Sequence, residues 1–304
     1  ESEHEYIFYK RDEYDLRSNC EDINNIELLT LGGSTTDQRY IKFKSTYQYI
    51  LQEKIIDYIE KDFCIANAGI DGHTTYGHIY SLNNWLPNIP NLKPKYIILY
   101  IGINDADFTR VGANIGYDIN DNSSAKGLLK NLYIIHKLMP LIRYIRNNFS
   151  NNTKKYTNHF KISFNLEDYN VDQMNINTKK LTEINTKLFK ERLKVLLKKI
   201  ETFNSQHICI TQPHIFVKNI SDQKKGISAV INENYSGLDF DYSLKSLNNV
   251  MKNLCGKYYI EIKNEQFNKK HFYDGVHTNE KGSEFLGNLI YKEMRLRGFL
   301  EIFK

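Results

Sequence analysis

At 304 residues, with 41% hydrophobic and 25% charged side chains, the chain is long enough to bury a sizeable core and has an ordinary globular composition. The net charge of +5 is modest for this length, and the densest basic stretch, 179–199, has helical spacing with Glu183 and Glu191 interleaved. It reads as a solvated helix face, so no nucleic-acid partner is expected, and no apolar run is long enough to span a bilayer. From the N-terminus, residues 1–25 read as an extension. An apolar run at 26–31 predicts a buried strand and delivers the turn Gly32-Gly33-Ser34-Thr35-Thr36. A helix is predicted over 45–61, with Tyr47, Ile50, Leu51, Ile55 and Tyr58 at helical spacing. A second strand, 63–68, runs into Asn67-Ala68-Gly69-Ile70-Asp71-Gly72, and a helix over 74–86 stops before Pro87. A third strand, 95–101, is followed by Gly102-Ile103-Asn104-Asp105. A helix is predicted over 127–147, split or kinked by Pro140. The polar stretch 148–178 reads as a flexible excursion, and a helix over 181–203 follows, carrying Leu188, Leu193, Leu196 and Ile200. The fourth strand, 207–211, leads to Gln212 and His214. A helix at 242–254, a fifth strand at 257–262, the segment Asp274-Gly275-Val276-His277 and a helix at 279–297 complete the chain.

Strands alternating with helices, and strands that are continuously apolar rather than alternating, predict an α/β fold on a parallel sheet buried on both faces. The expected organisation is one domain over 1–304, with an insertion at about 106–180 between the third and fourth strands. Cys20, Cys64, Cys209 and Cys255 form no C-x-x-C pair, so a zinc or redox motif is not expected. Cys64 and Cys209 lie in apolar runs and read as small core residues, with disulfides left open.

In an open parallel sheet, ligands bind beyond the carboxyl ends of the strands. Ser34, Gly72, Asn104, Gln212 with His214, and Asp274 with His277 follow five successive strands, so five segments send polar groups to one edge. A serine hydroxyl is a weak nucleophile until a base takes its proton. His277 is the natural base, and Asp274 three residues earlier can fix its tautomer. The oxyanion formed by attack on an ester needs donors, and the backbone N–H of Ser34, the backbone N–H of Gly72 and the Asn104 amide are the three expected. Gly69 competes with Gly72 for that role. Asp105 is expected to order the loop around Asn104. With His73, Gln212 and His214 it is also a candidate for lining the substrate pocket. His271, Asp274 and His277 are too sparse for a metal site, and no P-loop, G-x-G-x-x-G, H-E-x-x-H or G-x-S-x-G pattern occurs, so neither metal nor cofactor is expected.

The four blocks, 32–36, 67–72, 102–105 and 274–277, occur in an order that resembles the SGNH (GDSL-type) hydrolase superfamily over about residues 28–286. The resemblance implies a flavodoxin-like three-layer α/β/α sandwich with a mainly parallel five-stranded sheet. Gly33 stands where the eponymous pattern has Asp, which resembles a branch associated with modification of bacterial polysaccharides. The implied activity is a serine esterase removing a small acyl group, acetyl foremost, from a carbohydrate. An O-acyltransferase using the same residues and a non-catalytic glycan-binding module are the alternatives. A small ester or acylated glycan is therefore the expected partner, in an extracytoplasmic or membrane-anchored bacterial setting. Membrane contact is expected only through a segment missing from this chain, whose first residue is Glu rather than Met.

Overall fold

Side-chain parity along the apolar runs explains the architecture. The computed structural model describes residues 6–108, 153–157 and 165–304. Its strands are β1 (Tyr6–Lys10), β2 (Ile26–Gly32), β3 (Cys64–Asn67), β4 (Tyr96–Tyr100), β5 (Thr153–Thr157), β6 (Gln206–Ile210), β7 (Val217–Ile220), β8 (Gln223–Gly226) and β9 (Tyr259–Ile260). Its helices are α1 (Ser34–Asp37), α2 (Tyr47–Ile59), α3 (Thr75–Asn84), α4 (Ile103–Ala106), α5 (Thr178–Glu201), α6 (Gly237–Cys255) and α7 (Glu280–Leu296), with short single-turn helices between them. Five strands form one parallel sheet in the order β3-β2-β4-β6-β9. Because successive side chains point to opposite faces of a strand, Leu28, Ile98, Tyr100, Ile208 and Ile210 enter one core while Leu29, Leu31, Ile97, Leu99 and Cys209 enter the other. Residues of α2 and α7 cover the first face, and residues of α3, α5 and α6 cover the second. The result is the expected three-layer α/β/α fold.

Local chemistry sets the helix boundaries. Thr46 caps α2, its hydroxyl accepting from Tyr49 N at 3.3 Å, and Ser236 with Asp239 forms a capping box at α6. Asn279 caps α7 by accepting from Gly282 N at 3.0 Å. Among the described residues no helix is long and apolar enough to cross a membrane.

Some expectations change. Cys64 and Cys209 are buried, but not as free core thiols: Cys20–Cys64 and Cys209–Cys255 are disulfides, with Cα atoms 5.7 and 6.3 Å apart. The excursion 148–178 contains β5, which pairs antiparallel with β1 of the N-terminal extension, Tyr6 opposite Thr157 and Lys10 opposite Thr153. The β7–β8 hairpin adds two strands that the sequence pattern does not signal. The helix predicted over 127–147 lies outside the described residues.

From β2 the chain moves to β3 on one side and then returns to β4 on the other. In an open parallel sheet such a reversal of winding is where ligands bind, here beyond the carboxyl ends of β2 and β4. Ser34 follows β2, and Asn104 follows β4.

Candidate active site

Two glycines make the turn that carries Ser34 possible. A Cβ at Gly32 would lie 2.0 Å from Thr36 Oγ1 and 2.5 Å from the Tyr100 carbonyl oxygen. A Cβ at Gly33 would lie 2.4 Å from Asn104 Nδ2. The space a side chain would take at position 33 is thus filled by the Asn104 amide, which comes within reach of Ser34's turn. The Gly33 carbonyl accepts from Thr36 N (3.0 Å) and Asp37 N (2.9 Å), so Ser34 opens the single helical turn α1.

Ser34 and His277 come from opposite ends of the sequence and meet: Ser34 Oγ lies 2.7 Å from His277 Nε2. His277 Nδ1 lies 2.7 Å from Asp274 Oδ2. Asp274 Oδ1 accepts from Val276 N (2.8 Å) and His277 N (2.7 Å). A carboxylate opposite Nδ1 places the ring proton there and turns the bare Nε2 toward the Ser34 hydroxyl, which donates to it. Burial raises the Asp274 pKa, but the His277 imidazole and the two backbone donors outweigh burial and hold it below the usual carboxylate range. The Tyr273 ring lies parallel to the imidazole, centroids 5.6 Å apart, and meets Tyr40 edge-on at 6.4 Å. From behind, Ile215 N donates to the Gly275 carbonyl at 2.9 Å, and the Phe216 ring occupies the space a side chain at Gly275 would need.

Asn104 and the loop after Gly72 lie against the Ser34 turn: a Cβ at Gly33 would be 2.4 Å from Asn104 Nδ2 and 3.4 Å from the His73 carbonyl oxygen. Gly72 has φ +74°, and a Cβ added there would meet nothing within 4 Å, so backbone conformation and not crowding selects glycine. Asn104 Nδ2 donates to the His73 carbonyl at 2.9 Å, which ties Asn104 to the loop carrying Gly72 and leaves the amide a second N–H. The Gly69 N–H donates to Asn67 Oδ1 at 2.8 Å, so of the two competing glycines Gly72 is the better-placed candidate donor.

Three of the four pocket-lining candidates are corrected. The Asp105 side chain is 1% exposed. It accepts from Thr75 N (3.1 and 3.0 Å) and Thr75 Oγ1 (2.6 Å) and pairs with Arg192 at 3.4 Å. Burial pushes its pKa up against the opposing pull of Arg192 and Thr75. Asp105 therefore anchors the start of α3 to the Asn104 loop from below. Gln212 is buried, its Nε2 donating to Thr35 Oγ1 (2.6 Å) and the Tyr100 carbonyl (3.2 Å), its Oε1 accepting from Ile103 N (2.7 Å). His214 is buried too. Its Nδ1 accepts from Phe216 N at 3.3 Å, and its Nε2 lies 3.4 Å from Asp241 Oδ1. His73 alone of the four is half-exposed, with its ring against Gly77 and 5.7 Å from that of the buried His78.

Sequence reasoning misses Tyr273, which its place beside Asp274 could have suggested. It also misses Tyr9, Arg11, Arg17, Asp37 and Arg39, which pack around the end of α1. Among the described residues, metal-ligand atoms cluster only at His207, Cys209 and Cys255, within 4.8 Å of one another, and the two sulfurs there are joined as a disulfide.

The family model for GDSL-like lipase/acylhydrolase matches residues 28–290. No curated protein matches the chain in sequence. Similar solved structures include a psychrotrophic esterase, EstA, from Pseudoalteromonas sp., at 13% identity and TM-score 0.43 over 88% of this chain and 96% of that one. The acetylxylan esterase Axe2 from Geobacillus stearothermophilus has 14% identity and TM-score 0.47, over 88% and 93%. The lipase Lip_vut3 from a goat rumen metagenome has 12% identity and TM-score 0.48, over 88% and 97%.

Proposed function

Because the chain belongs to the GDSL-like lipase/acylhydrolase family and is an acyl ester hydrolase of the SGNH type, we propose that it is a serine esterase acting through Ser34, His277 and Asp274 on a small acyl ester of a carbohydrate. The observation that most supports this reading is the hydrogen-bonded chain from Ser34 Oγ to His277 Nε2 and from His277 Nδ1 to Asp274 Oδ2, each 2.7 Å. Ser34 Oγ attacks the ester carbonyl carbon as its proton passes to His277 Nε2. Asp274 holds the ring and stabilises the imidazolium. The carbonyl oxygen becomes an oxyanion and receives the backbone N–H of Ser34, the backbone N–H of Gly72 and the free N–H of Asn104. As the tetrahedral centre collapses, His277 returns the proton to the leaving alcohol oxygen and an acyl-Ser34 ester remains. A water molecule, deprotonated by His277, then releases the acid.

The resemblance of 32–36 to the polysaccharide-modifying branch supports a small acyl group, acetyl foremost, on a glycan. The two disulfides support an oxidising, extracytoplasmic setting. If a sugar hydroxyl replaces water in the second half-reaction, the same residues transfer the acyl group, so the test includes an acceptor. A series of p-nitrophenyl esters of rising chain length and a set of acetylated glycans are assayed with wild type and Ser34→Ala, with and without an unacetylated glycan. The expected result is turnover that falls with chain length, is lost in Ser34→Ala, and yields free acid. Undiminished turnover in Ser34→Ala would overturn the nucleophile. A preference for long chains would overturn the acyl assignment, and acylated acceptor as the main product would overturn hydrolysis.

A further inference from the structure

The end of α1 is tied to the Gly72 loop by an ionic assembly that the reaction scheme does not use. Its hub is Asp37, whose side chain is 1% exposed. Asp37 Oδ1 accepts from Arg11 Nη2 at 2.7 Å and from the Tyr9 hydroxyl. Asp37 Oδ2 accepts from Arg39 Nε at 3.0 Å and Arg39 Nη2 at 2.9 Å. Each guanidinium reaches further than Asp37. Arg11 Nη2 also donates to the Gly69 carbonyl, and Arg39 Nη1 lies 3.3 Å from Asp71 Oδ2. Both second partners belong to the loop that carries Gly72. The two segments are in close contact there, since a Cβ at Gly69 would lie 2.5 Å from Asp37 N. Tyr9 completes the hub, accepting from Arg11 Nε while donating to Asp37. Burial, and behind it the Asp37 charge, push the Tyr9 pKa up to about 12, so the phenol keeps its proton for that bond. Arg17, buried beneath, donates to the carbonyls of Asp37 (2.8 Å), Gln38 (2.7 Å) and Ile41 (2.6 Å) and holds the chain leaving α1.

We propose that Arg11 and Arg39 are positioning residues: two guanidiniums that bridge, through Asp37, the turn bearing Ser34 to the loop bearing Gly72, and so fix the separation between nucleophile and second oxyanion donor. This rests on the reading of Ser34 as nucleophile and Gly72 as donor. The planar guanidinium suits the task, because one group presents donors in several directions and serves two acceptors at once, whereas an ammonium is a single point charge. The outer arm ends on an exposed carboxylate. Asp71 is 53% exposed, and an exposed ion pair adds little to stability. What the Arg39–Asp71 arm can supply is geometry. Catalytic rates respond steeply to geometry, about 10²-fold for misplacement by about 1 Å. The N-terminal strand β1 thereby enters the active-site framework, since Tyr9 lies on it and Arg11 follows it directly.

The test uses Arg39→Gln, Arg39→Lys, Asp71→Asn and Arg11→Gln, with Arg295→Gln as an exposed control on α7. Steady-state kinetics on p-nitrophenyl acetate, the rate of Ser34 labelling by a fluorophosphonate, and melting temperature are read for each. Wild-type labelling that is abolished by Ser34→Ala establishes the nucleophile independently of the bridges. Absence of that pattern overturns the catalytic reading itself. The bridge proposal expects kcat and labelling rate to fall about 10- to 100-fold in Arg39→Gln and Arg11→Gln, with KM within about twofold. Asp71→Asn falls less, and Arg39→Lys recovers only part of the loss. Arg39→Gln and Asp71→Asn should melt within a few degrees of wild type, which separates positioning from folding. If Arg39→Gln and Asp71→Asn keep kcat and labelling within twofold of wild type while Ser34 labels normally, the bridge is overturned and the catalytic reading stands. A KM rise at unchanged kcat also overturns it, by assigning Arg39 to substrate binding.

Discussion

Replacing Asp274 by asparagine is predicted to be more damaging to turnover than removing the side chain altogether. The reason lies in the two ends of the carboxylate. Oδ1 accepts from two backbone N–H groups, Val276 at 2.8 Å and His277 at 2.7 Å. An amide placed there can satisfy them only with its oxygen, since its NH₂ would face two donors. The NH₂ must then occupy the Oδ2 position, 2.7 Å from His277 Nδ1, and donate to it. Nδ1 becomes an acceptor, the ring proton moves to Nε2, and the nitrogen facing Ser34 Oγ at 2.7 Å can no longer take a proton. The loss expected from a tautomer locked in the wrong form is roughly 10³–10⁴ in kcat, or about 4–5.5 kcal/mol of transition-state stabilisation. Asp274→Ala supplies no wrong-way donor, so His277 can adopt either tautomer and the loss should be smaller than in Asp274→Asn. Stability should order the other way, because Asn keeps the two backbone hydrogen bonds that Ala abandons. Initial rates on p-nitrophenyl acetate and melting curves of the two variants decide it. An Asp274→Asn enzyme that turns over within tenfold of wild type, or outperforms Asp274→Ala, would refute the tautomer mechanism.

Three further expectations use other parts of the fold. Asn104→Ala should lower kcat about 10²–10³-fold if its amide meets the oxyanion, with a smaller effect on KM, measured on the same ester. The two disulfides close loops with sequence separations of 44 and 46, so each should contribute up to about 4 kcal/mol by constraining the unfolded chain. Thiol titration of denatured protein should find no free thiol before reduction, and Cys255→Ser should melt several degrees lower; two free thiols would contradict one bridge and four would contradict both. Burial lowers the His78 pKa from 6.5 to about 3. The unfolded chain therefore takes up a proton that the folded chain refuses as pH falls from 6.5 toward 3. Stability should decline through that window by up to about 1.4 kcal/mol per pH unit from this group, and chemical denaturation of His78→Leu should show a flatter pH dependence.

The legible parts of this protein are those where one residue type has one physical reason to be present. Ile97, Ile98 and Leu99 are wholly buried, as a strand covered on both faces requires, and that reads directly from an uninterrupted apolar run. Ser34, Asn104, Asp274 and His277 stand out because each follows a strand. The illegible parts depend on long-range partners. Cys20 lies in a polar stretch and Cys209 in an apolar one, and nothing local shows that one bonds Cys64 and the other Cys255. The β7–β8 hairpin, Val217–Ile220 against Gln223–Gly226, is short, partly exposed and rich in Lys, so it lacks the hydrophobic signal that marks the central strands. Asp105, Gln212 and His214 are polar residues at strand ends, and position alone cannot separate a group that faces substrate from one that faces inward. Burial and partners decide, and for all three they point inward. Asp37 looks like one more acid in a loop because its two arginines lie 26 residues before and two residues after it.

Those inward-facing polar groups explain how loops, rather than strands, can hold the segments carrying Ser34, Gly72, Asn104 and His277 in place. Apolar contacts fix a sheet's layers but are non-directional, and a loop packed only by them can slide. Here each strand-end loop is tied to another by a buried directional bond. Gln212, after β6, joins Ile103 N after β4 to Thr35 Oγ1 after β2. Asn67, at the end of β3, donates to the Thr36 carbonyl at 2.7 Å and accepts from Gly69 N at 2.8 Å, joining the Ser34 turn to the second loop. Asp105 joins the Asn104 loop to the start of α3. Gln38 Nε2 donates to Thr278 Oγ1 (3.1 Å) and Ser283 Oγ (2.6 Å), while its Oε1 accepts from Tyr47 N (3.0 Å), so the turn after Ser34 is fastened to the residue that follows His277. A buried side chain with every polar atom satisfied tolerates few alternative positions, because breaking one bond leaves a desolvated group uncompensated at a cost of about 1–3 kcal/mol. The wells these bonds create are therefore narrow. It follows that the cost of burying Gln38, Asn67, Asp105 and Gln212 beneath the carboxyl edge is offset in positional precision at Ser34, Gly72, Asn104 and His277.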